Sequence, residues 1–118
     1  MKKSLVDIIL PIHKKKEMYF RNYKSYCQEI KKIAKCSLKE VRVLVFGSVV
    51  KDKHTPSSDI DVLIISNNLP EEFEEREKIK TNIKSKIDPF SPFQLHLATP
   101  KEFKEWYENF LKDNYLEI

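Results

Sequence analysis

Residues 45–48, Val-Phe-Gly-Ser, are followed after ten intervening residues by residues 59–64, Asp-Ile-Asp-Val-Leu-Ile. The β-branched and aromatic residues over 41–46 predict a buried strand that ends where the glycine and serine begin. The apolar residues of the second block predict another strand. Because side chains alternate along a strand, Asp59 and Asp61 are expected on the same face. This stretch therefore predicts a turn and a pair of carboxylates next to a small sheet.

The turn and the two aspartates together suggest phosphate chemistry. Two hard oxygen ligands on a strand suit Mg²⁺, so Asp59 and Asp61 are candidate metal ligands. Gly47 has no side chain and lets the backbone approach a phosphate closely. If a helical turn begins at Ser48, its free N–H groups and hydroxyl can hold anionic oxygens. The alternative is a simple strand-ending turn followed by two ordinary solvent-facing aspartates.

These residues resemble the nucleotidyltransferase signature of the DNA polymerase β superfamily, and most of all the minimal nucleotidyltransferases (MNT) of bacteria and archaea. The resemblance covers residues 41–98 as a pattern and is specific over 45–64. It implies a nucleotidyltransferase fold and a two-metal Mg²⁺ site. It further implies catalytic and metal-binding roles for Asp59 and Asp61, and a nucleotide-binding role for the three residues Gly47, Ser48 and Ser58.

The sequence departs from the family where a third carboxylate is expected. The strand predicted over Phe93–Ala98 carries Gln94 at that place and His96 on the same face. A glutamine coordinates weakly through its carbonyl but accepts no proton at neutral pH, which leaves open whether the two-metal site is complete. His96 is the candidate base or substrate ligand, with a merely hydrogen-bonded histidine beside the sheet as the alternative. Asp88 is a poorer substitute, because it lies in a proline-bounded loop.

The loop over residues 51–58 holds a second departure. Asp52 stands near the place where many family members carry a second glycine. Aspartate tolerates left-handed backbone better than most residues, so the loop is expected to keep its shape. His54 and Ser58 are assigned to this loop, and for Ser58 a structural role beside Asp59 is preferred over direct nucleotide binding.

Helical patterns surround the strands. Residues 14–35 predict a helix with an apolar stripe, and residues 71–86 predict a helix with acidic residues first and lysines last. Thr99 and Glu102 predict a capping box that opens a C-terminal helix. The aromatic stripe of that helix is interpreted as core, with a partner surface as the alternative: Phe103, Trp106, Tyr107, Phe110 and Leu111.

The resulting order α-β-β-α-β-α predicts an α/β protein of the α+β type, with a small mixed sheet of three or four strands backed by helices. We expect a single domain over residues 1–118. Within it, residues 1–38 form an N-terminal helical extension, 41–98 the core strands and the motif, and 99–118 a C-terminal helix.

Composition limits the cellular setting. The chain has 118 residues, a net charge of +4 and one glycine, where an average of about 7% would give about eight. No apolar stretch approaches the roughly 18 to 20 residues of a membrane span, and no signal peptide is expected. Cys27 and Cys36 lack zinc-site spacing and are expected as reduced thiols of a cytoplasmic protein.

Two functions follow. In the first, a nucleoside triphosphate, with ATP preferred, donates its nucleoside monophosphate to a hydroxyl. The resemblance to MNT proteins implies an HEPN-domain protein as acceptor and an antitoxin role, with RNA or a small molecule as alternatives. In the second, Gln94 marks a catalytically degenerate module that binds a nucleotide or a partner. The sequence leaves homo-oligomer formation open.

Overall fold

Two consecutive helices, α1 (Leu5–Arg21) and α2 (Tyr23–Leu38), open the computed structural model, which describes residues 5–53, 55 and 57–118. The predicted single helix over 14–35 is wrong in one respect, because the helix is interrupted at Asn22. There the backbone N–H and the side-chain amide both donate to the carbonyl of Met18, at 3.0 and 3.1 Å, so the side chain competes with the helix for an acceptor. Residues 1–4 of the predicted extension and His54 lie outside the described residues.

The predicted apolar stripe of this region is confirmed across both helices. Cys27, Ile30 and Ala34 are fully buried, and Tyr19 nearly so. Cys27 and Cys36 are free thiols, the first buried and the second exposed. Burial raises the pKa of the Cys27 thiol to about 12, so this side chain acts as a small apolar residue rather than a nucleophile.

One mixed sheet contains four strands, β1 (Arg42–Phe46), β2 (Ile60–Ile65), β3 (Phe93–Ala98) and β4 (Tyr115–Glu117). Their order across the sheet is β3-β2-β1-β4. Strand β1 pairs antiparallel with both β2 and β4, and β2 pairs parallel with β3. The parallel pair needs a crossover connection, which helix α3 (Phe73–Ile87) supplies. The predicted mixed sheet backed by helices is confirmed.

The sheet has two unlike faces, which we call the back face and the front face. The back face packs on α2 and α3 and holds the larger core cluster. Its strand residues are Val43, Val45, Ile60, Val62, Ile64, Phe93 and Leu95. The front face packs on a C-terminal helical segment through a smaller cluster, formed by Leu44, Phe46, Leu63, Ile65, Ala98, Phe103 and Leu111.

The C-terminal helical segment changes its winding along its length. It starts as helix α4 (Pro100–Glu102), widens into a π-helical turn (Phe103–Tyr107) and ends as helix α5 (Glu108–Leu111). The predicted capping box between Thr99 and Glu102 is confirmed. The prediction that helix continues to residue 118 is wrong, because residues 115–117 form strand β4 against β1.

The core interpretation of the aromatic stripe in this segment is partly wrong. Phe103 and Leu111 are buried, but Trp106 is 64% exposed and Phe110 is 75% exposed. In the π-helical turn the N–H of Glu108 donates to the carbonyl of Phe103, five residues back. The wider turn rotates later side chains away from the positions that a regular helix gives them.

Helix α3 carries its charges as predicted. Its first turn contains Glu74 and Glu75, and its last turn contains Lys84 and Lys86, which complements the helix dipole at both ends. Ile83 on its inner side is fully buried. Within the described ranges, none of the helices is long and apolar enough to cross a membrane.

Candidate functional site

The end of β1 lies directly against the second aspartate of the motif. Phe46 pairs with Asp61 across the antiparallel ladder, so Gly47 follows the last pair. Gly47 has φ +87°, a left-handed backbone that favours glycine. A Cβ added there would lie 2.6 Å from Oδ2 of Asp61. Glycine is therefore required both by the backbone conformation and by the carboxylate that occupies the adjacent space.

Three polar side chains meet on the front face around Asp61. The parallel register places Gln94 beside Asp61 and His96 beside Leu63. His96 Nε2 lies 3.2 Å from Asp61 Oδ1. The side chain of His96 is 30% exposed and that of Asp61 is 31% exposed. One carboxylate oxygen thus faces the imidazole while the other faces Gly47. The predicted common face of Gln94 and His96 agrees with the alternation in β3, and the register places Asp61 beside Gln94.

The imidazole of His96 is also packed against an aromatic ring. Its centroid lies 5.4 Å from that of Phe46, with the two planes tilted by 44°. This contact and the carboxylate contact of Asp61 together hold the ring at the open end of the front face. His96 is therefore a positioned histidine within reach of solvent.

Asp59 immediately precedes β2 and is exposed. In the part of the chain that the structure describes, no group of three or more His, Cys, Asp or Glu side chains could hold a metal ion. Asp59 and Asp61 remain as two oxygen donors. Mg²⁺ is commonly held by one or two carboxylates, with waters and substrate phosphates filling its other positions, so this donor set fits the ion.

The turn after Gly47 differs from the one expected. The N–H of Lys53 donates to the carbonyl of Ser48 at 2.9 Å, and the N–H of Asp52 donates to the carbonyl of Val49 at 3.3 Å. Residues 48–52 form a hydrogen-bonded turn and no regular helix begins at Ser48, so the condition stated for N–H groups of a helical turn is not met. Asp52 has φ +56°, which confirms that aspartate takes the left-handed backbone at this place.

The hydroxyl of Ser58 is used within its own loop. Ser58 Oγ accepts a hydrogen bond from the N–H of Thr55 at 2.9 Å, and the N–H of Ser58 donates to the Thr55 carbonyl at 2.9 Å. The two residues close a small turn just before Asp59. This bonding accords with the structural role preferred for Ser58.

Asp88 belongs to a different contact. It accepts a hydrogen bond from the hydroxyl of Tyr19 at 2.7 Å and an ion pair from Lys15 at 2.9 Å. The Tyr19 hydroxyl, then Lys15 and the N–H of Phe90, lower the pKa of Asp88 to about 2. This carboxylate joins helix α1 to the loop after α3. Its partners leave it engaged away from Asp61.

Sequence reasoning missed a cleft of about 180 Å³ between α3 and β3. The helix contributes Lys80, Thr81 and Lys84 to its wall, and the strand contributes residues 93–95. The lysines were visible in the sequence only as the basic half of α3. The spacing of 80, 81 and 84 along one helix side was the available signal, but the strand that it faces could not be read from it.

The chain matches a known protein family and solved structures. The family model of the nucleotidyltransferase domain matches residues 27–117. A crystal structure described as that of a “putative nucleotidyltransferase” is 31% identical and has a TM-score of 0.62, covering 79% of this chain and 97% of its own. A comparison with curated proteins finds no match.

A more distant structure supports the fold alone. It is a protein of Sulfolobus solfataricus with the same description, 16% identical and with a TM-score of 0.56. The match covers 86% of this chain and 82% of that one.

Proposed function

Since this chain belongs to the nucleotidyltransferase domain family, we propose that it transfers a nucleoside monophosphate, AMP from ATP, to a hydroxyl of a partner protein or an RNA. One observation carries the proposal. The left-handed turn at Gly47 lies against the carboxylate of Asp61, with no room for a side chain between them. This contact supports the proposal, because the backbone proposed to bind phosphate lies next to a carboxylate oxygen proposed to bind Mg²⁺, and the reaction needs these two groups side by side.

Asp59 and Asp61 are the residues proposed to hold Mg²⁺. When bound, the ion supplies charge neutralisation on the triphosphate. The backbone after Gly47 and the hydroxyl of Ser48 are proposed to contact phosphate oxygens, with access given by the missing side chain. Lys51 and Lys53, both exposed, flank Asp52 and offset its negative charge near the phosphates.

In the proposed reaction the acceptor hydroxyl oxygen forms a bond to the α-phosphorus. The bond from that phosphorus to the bridging oxygen breaks, and pyrophosphate leaves with the electron pair. The hydroxyl proton needs an acceptor, which the Gln94 amide cannot provide. His96 is proposed for this role, because its imidazole lies on the same face of the sheet as Asp61. Asp61 Oδ1, 3.2 Å from His96 Nε2, is proposed to orient the ring.

The partner is proposed from the family resemblance. An HEPN-domain protein bearing a tyrosine hydroxyl is the first candidate, with this chain as its antitoxin, and an RNA end is the second. The compartment proposed is the cytoplasm, where free thiols such as Cys36 persist.

A second function is favoured by one specific observation. Gln94 occupies the register position beside Asp61, where a third carboxylate would complete the site. A degenerate module would then bind a nucleotide or a partner without turnover. The same residue that weakens the enzyme hypothesis therefore defines the test between the two.

The test incubates the purified chain with Mg²⁺ and ATP labelled at the α-phosphate, together with an HEPN-domain protein encoded beside it or with RNA. Labelling of either acceptor that Asp61→Asn abolishes supports the enzyme, with the exposed Asp113→Asn as the matched control. Labelling only after Gln94→Asp supports the degenerate module. Absence of labelling by both forms, with both folded, sinks the transferase proposal.

A further inference from the structure

The loop that joins α3 to β3 holds one aromatic side chain almost wholly in solvent. Phe90 is 94% exposed, more than any other large apolar side chain that the structure describes. Its backbone is held in place, because the N–H of Phe90 donates to Oδ1 of Asp88 at 2.9 Å and the N–H of Ser91 donates to the Asp88 carbonyl at 3.0 Å. An ordered turn therefore presents the phenyl ring to solvent.

Lysines of two helices lie around this turn. The end of α3, residues 80–87, contains three lysines and no carboxylate. Helix α1 brings three consecutive lysines to the same place, because the middle one, Lys15, pairs with Asp88 at 2.9 Å and neutralises its charge. Within the described ranges Lys86 is exposed and forms no ion pair. We call Lys15, Lys86 and Phe90 the Phe90 surface, and its surroundings are basic.

The other exposed aromatic side chains lie in acidic or mixed surroundings. Phe73, which is 73% exposed, begins α3 at its opposite end and is flanked by four glutamates. Trp106 and Phe110 each have a glutamate within two residues in the sequence. Of the exposed rings that the structure describes, Phe90 alone follows a helix end whose charged residues are all lysines. The combination of ring and cations is therefore specific to this end of the molecule.

We propose that the Phe90 surface binds single-stranded RNA, with a base stacked on the phenyl ring and the neighbouring phosphates held by the lysines. Proteins that bind single strands combine cations, which follow the backbone, with aromatic rings, on which the bases stack. The turn at Asp88 fixes the ring before the base arrives, so little order has to be created on binding. The lysines at the end of α3 supply the charge that binds phosphate.

Two other occupants fit less well. In a duplex each interior base is stacked between its neighbours, so no base face is free for the ring of Phe90. An acidic peptide would satisfy the lysines, but it would leave the ring in solvent unless it also carried an apolar pocket. A single nucleotide with its phosphate meets both requirements at once.

The bound strand would lie at the same end of the sheet as the candidate site. The carbonyl of Pro92, two residues after Phe90, accepts a hydrogen bond from the N–H of Ile60 at 2.8 Å, and Ile60 directly follows Asp59. An RNA end that continues past this contact approaches the proposed metal ligands. Its use as an acceptor, and the choice of RNA over DNA, rest on the proposed function, whereas the docking of a single strand does not.

The test measures fluorescence anisotropy of a labelled oligoadenylate of about 12 nucleotides, without ATP or Mg²⁺. Phe90→Ala is expected to weaken binding about tenfold, because it removes the stacking ring. The matched control Phe73→Ala removes an exposed ring at the acidic end of the same helix and is expected to change affinity less than about twofold. Phe90→Trp, which keeps an aromatic ring, is expected to restore binding.

A second measurement follows the affinity as the salt concentration rises. Lys86→Gln is expected to reduce the slope of log affinity against log salt by about 0.7, which corresponds to one phosphate contact on a single strand. The control Lys78→Gln, at an exposed lysine that pairs with Glu75 on the same helix, is expected to leave the slope unchanged.

Equal weakening by the two phenylalanine variants, or unchanged affinity of Phe90→Ala, would overturn the proposal. So would tighter binding of the same sequence as DNA or as a duplex, or tighter binding of a polyglutamate peptide. RNA binding that depends on Phe90 without any labelling activity would sustain this inference while the proposed function fails. Labelling activity in a chain that binds no RNA would do the reverse.

Discussion

The back and front faces of the sheet are built from the same strands but are closed to different extents. Two long helices cover the back face, and its strand residues are almost wholly buried. The front face has only the short C-terminal helical segment over it. Asp61, Gln94 and His96 lie at its uncovered end. The difference indicates that packing on the back face contributes most to the stability of the fold, while one end of the front face remains accessible to solvent.

The largest expected effect comes from weakening the back face. Ile30→Ala is expected to lower the free energy of unfolding by about 2–5 kcal/mol, because Ile30 is 1% exposed at the centre of the larger cluster. Urea unfolding checks this. The matched control Cys36→Ser, exposed on the same helix, is expected to change stability by less than about 0.5 kcal/mol. A small loss at Ile30 would contradict the assignment of stability to the back face.

Gly47→Ala tests the boundary between the two faces. The positive φ is expected to cost about 1–2 kcal/mol in the free energy of unfolding, and the new Cβ must displace the Asp61 carboxylate. The free energy of ATP binding, measured by calorimetry with Mg²⁺, should therefore be reduced by more than the free energy of unfolding. Lys39→Gly is the control, because it exchanges the residue at another positive φ, +68°, before the opposite end of β1. Global unfolding of the alanine variant would make Gly47 a turn residue only.

Acid should loosen the contact between helix α1 and the loop after α3. The hydroxyl of Tyr19 and then Lys15 lower the pKa of Asp88 from 3.8 to about 2, so the stabilisation is full above about pH 4 and is lost as the pH falls towards 2. The expected loss is about 1–2 kcal/mol in wild type relative to Asp88→Asn. Urea unfolding of both forms between pH 2 and pH 5 measures it. Parallel pH profiles would contradict the contribution of Asp88.

The smallest effect is expected on the exposed side of the front helical segment. Trp106→Ser should change the free energy of unfolding by less than about 0.5 kcal/mol, because the indole is 64% exposed. Leu111→Ala, at a buried position in the same segment, should cost more than Trp106→Ser but less than Ile30→Ala, because it belongs to the smaller cluster. Thermal or urea unfolding compares the two. A large loss at Trp106 would restore the core interpretation of the whole aromatic stripe.

The motif and the main strands could be predicted because their signals are local. The apolar run of residues 62–65 predicts a buried strand. The alternation of apolar and polar residues in β3 predicts which of its residues share a face. The left-handed backbone at Asp52 was also predictable from residue type. The alternation predicts that Gln94 and His96 share a face, whereas their grouping with Asp61 came from the family resemblance.

The features that could not be predicted depend on hydrogen-bond partners that compete with each other or lie far apart in the sequence. The helix is interrupted at Asn22, where the side-chain amide competes with the backbone N–H for the carbonyl of Met18. Asparagine also occurs in uninterrupted helices, so the residue type alone does not predict the interruption. The exposure of Phe110 depends on a π-helical turn with no sequence signature of its own. Strand β4 has three residues and gains its conformation from β1 rather than from its own composition.

The pairing of β1 with β4 has a consequence for the order of folding. Arg42 and Glu117 are separated by 75 positions, yet their side chains form two hydrogen bonds at 2.8 and 3.1 Å. Strand β1 therefore has one neighbour early in synthesis and gains the other only when residues 115–117 have been made. Closing such a long loop is slow relative to forming a hairpin. We expect the nascent chain to hold the β1–β2 pair first and to complete its sheet as the last kinetic step.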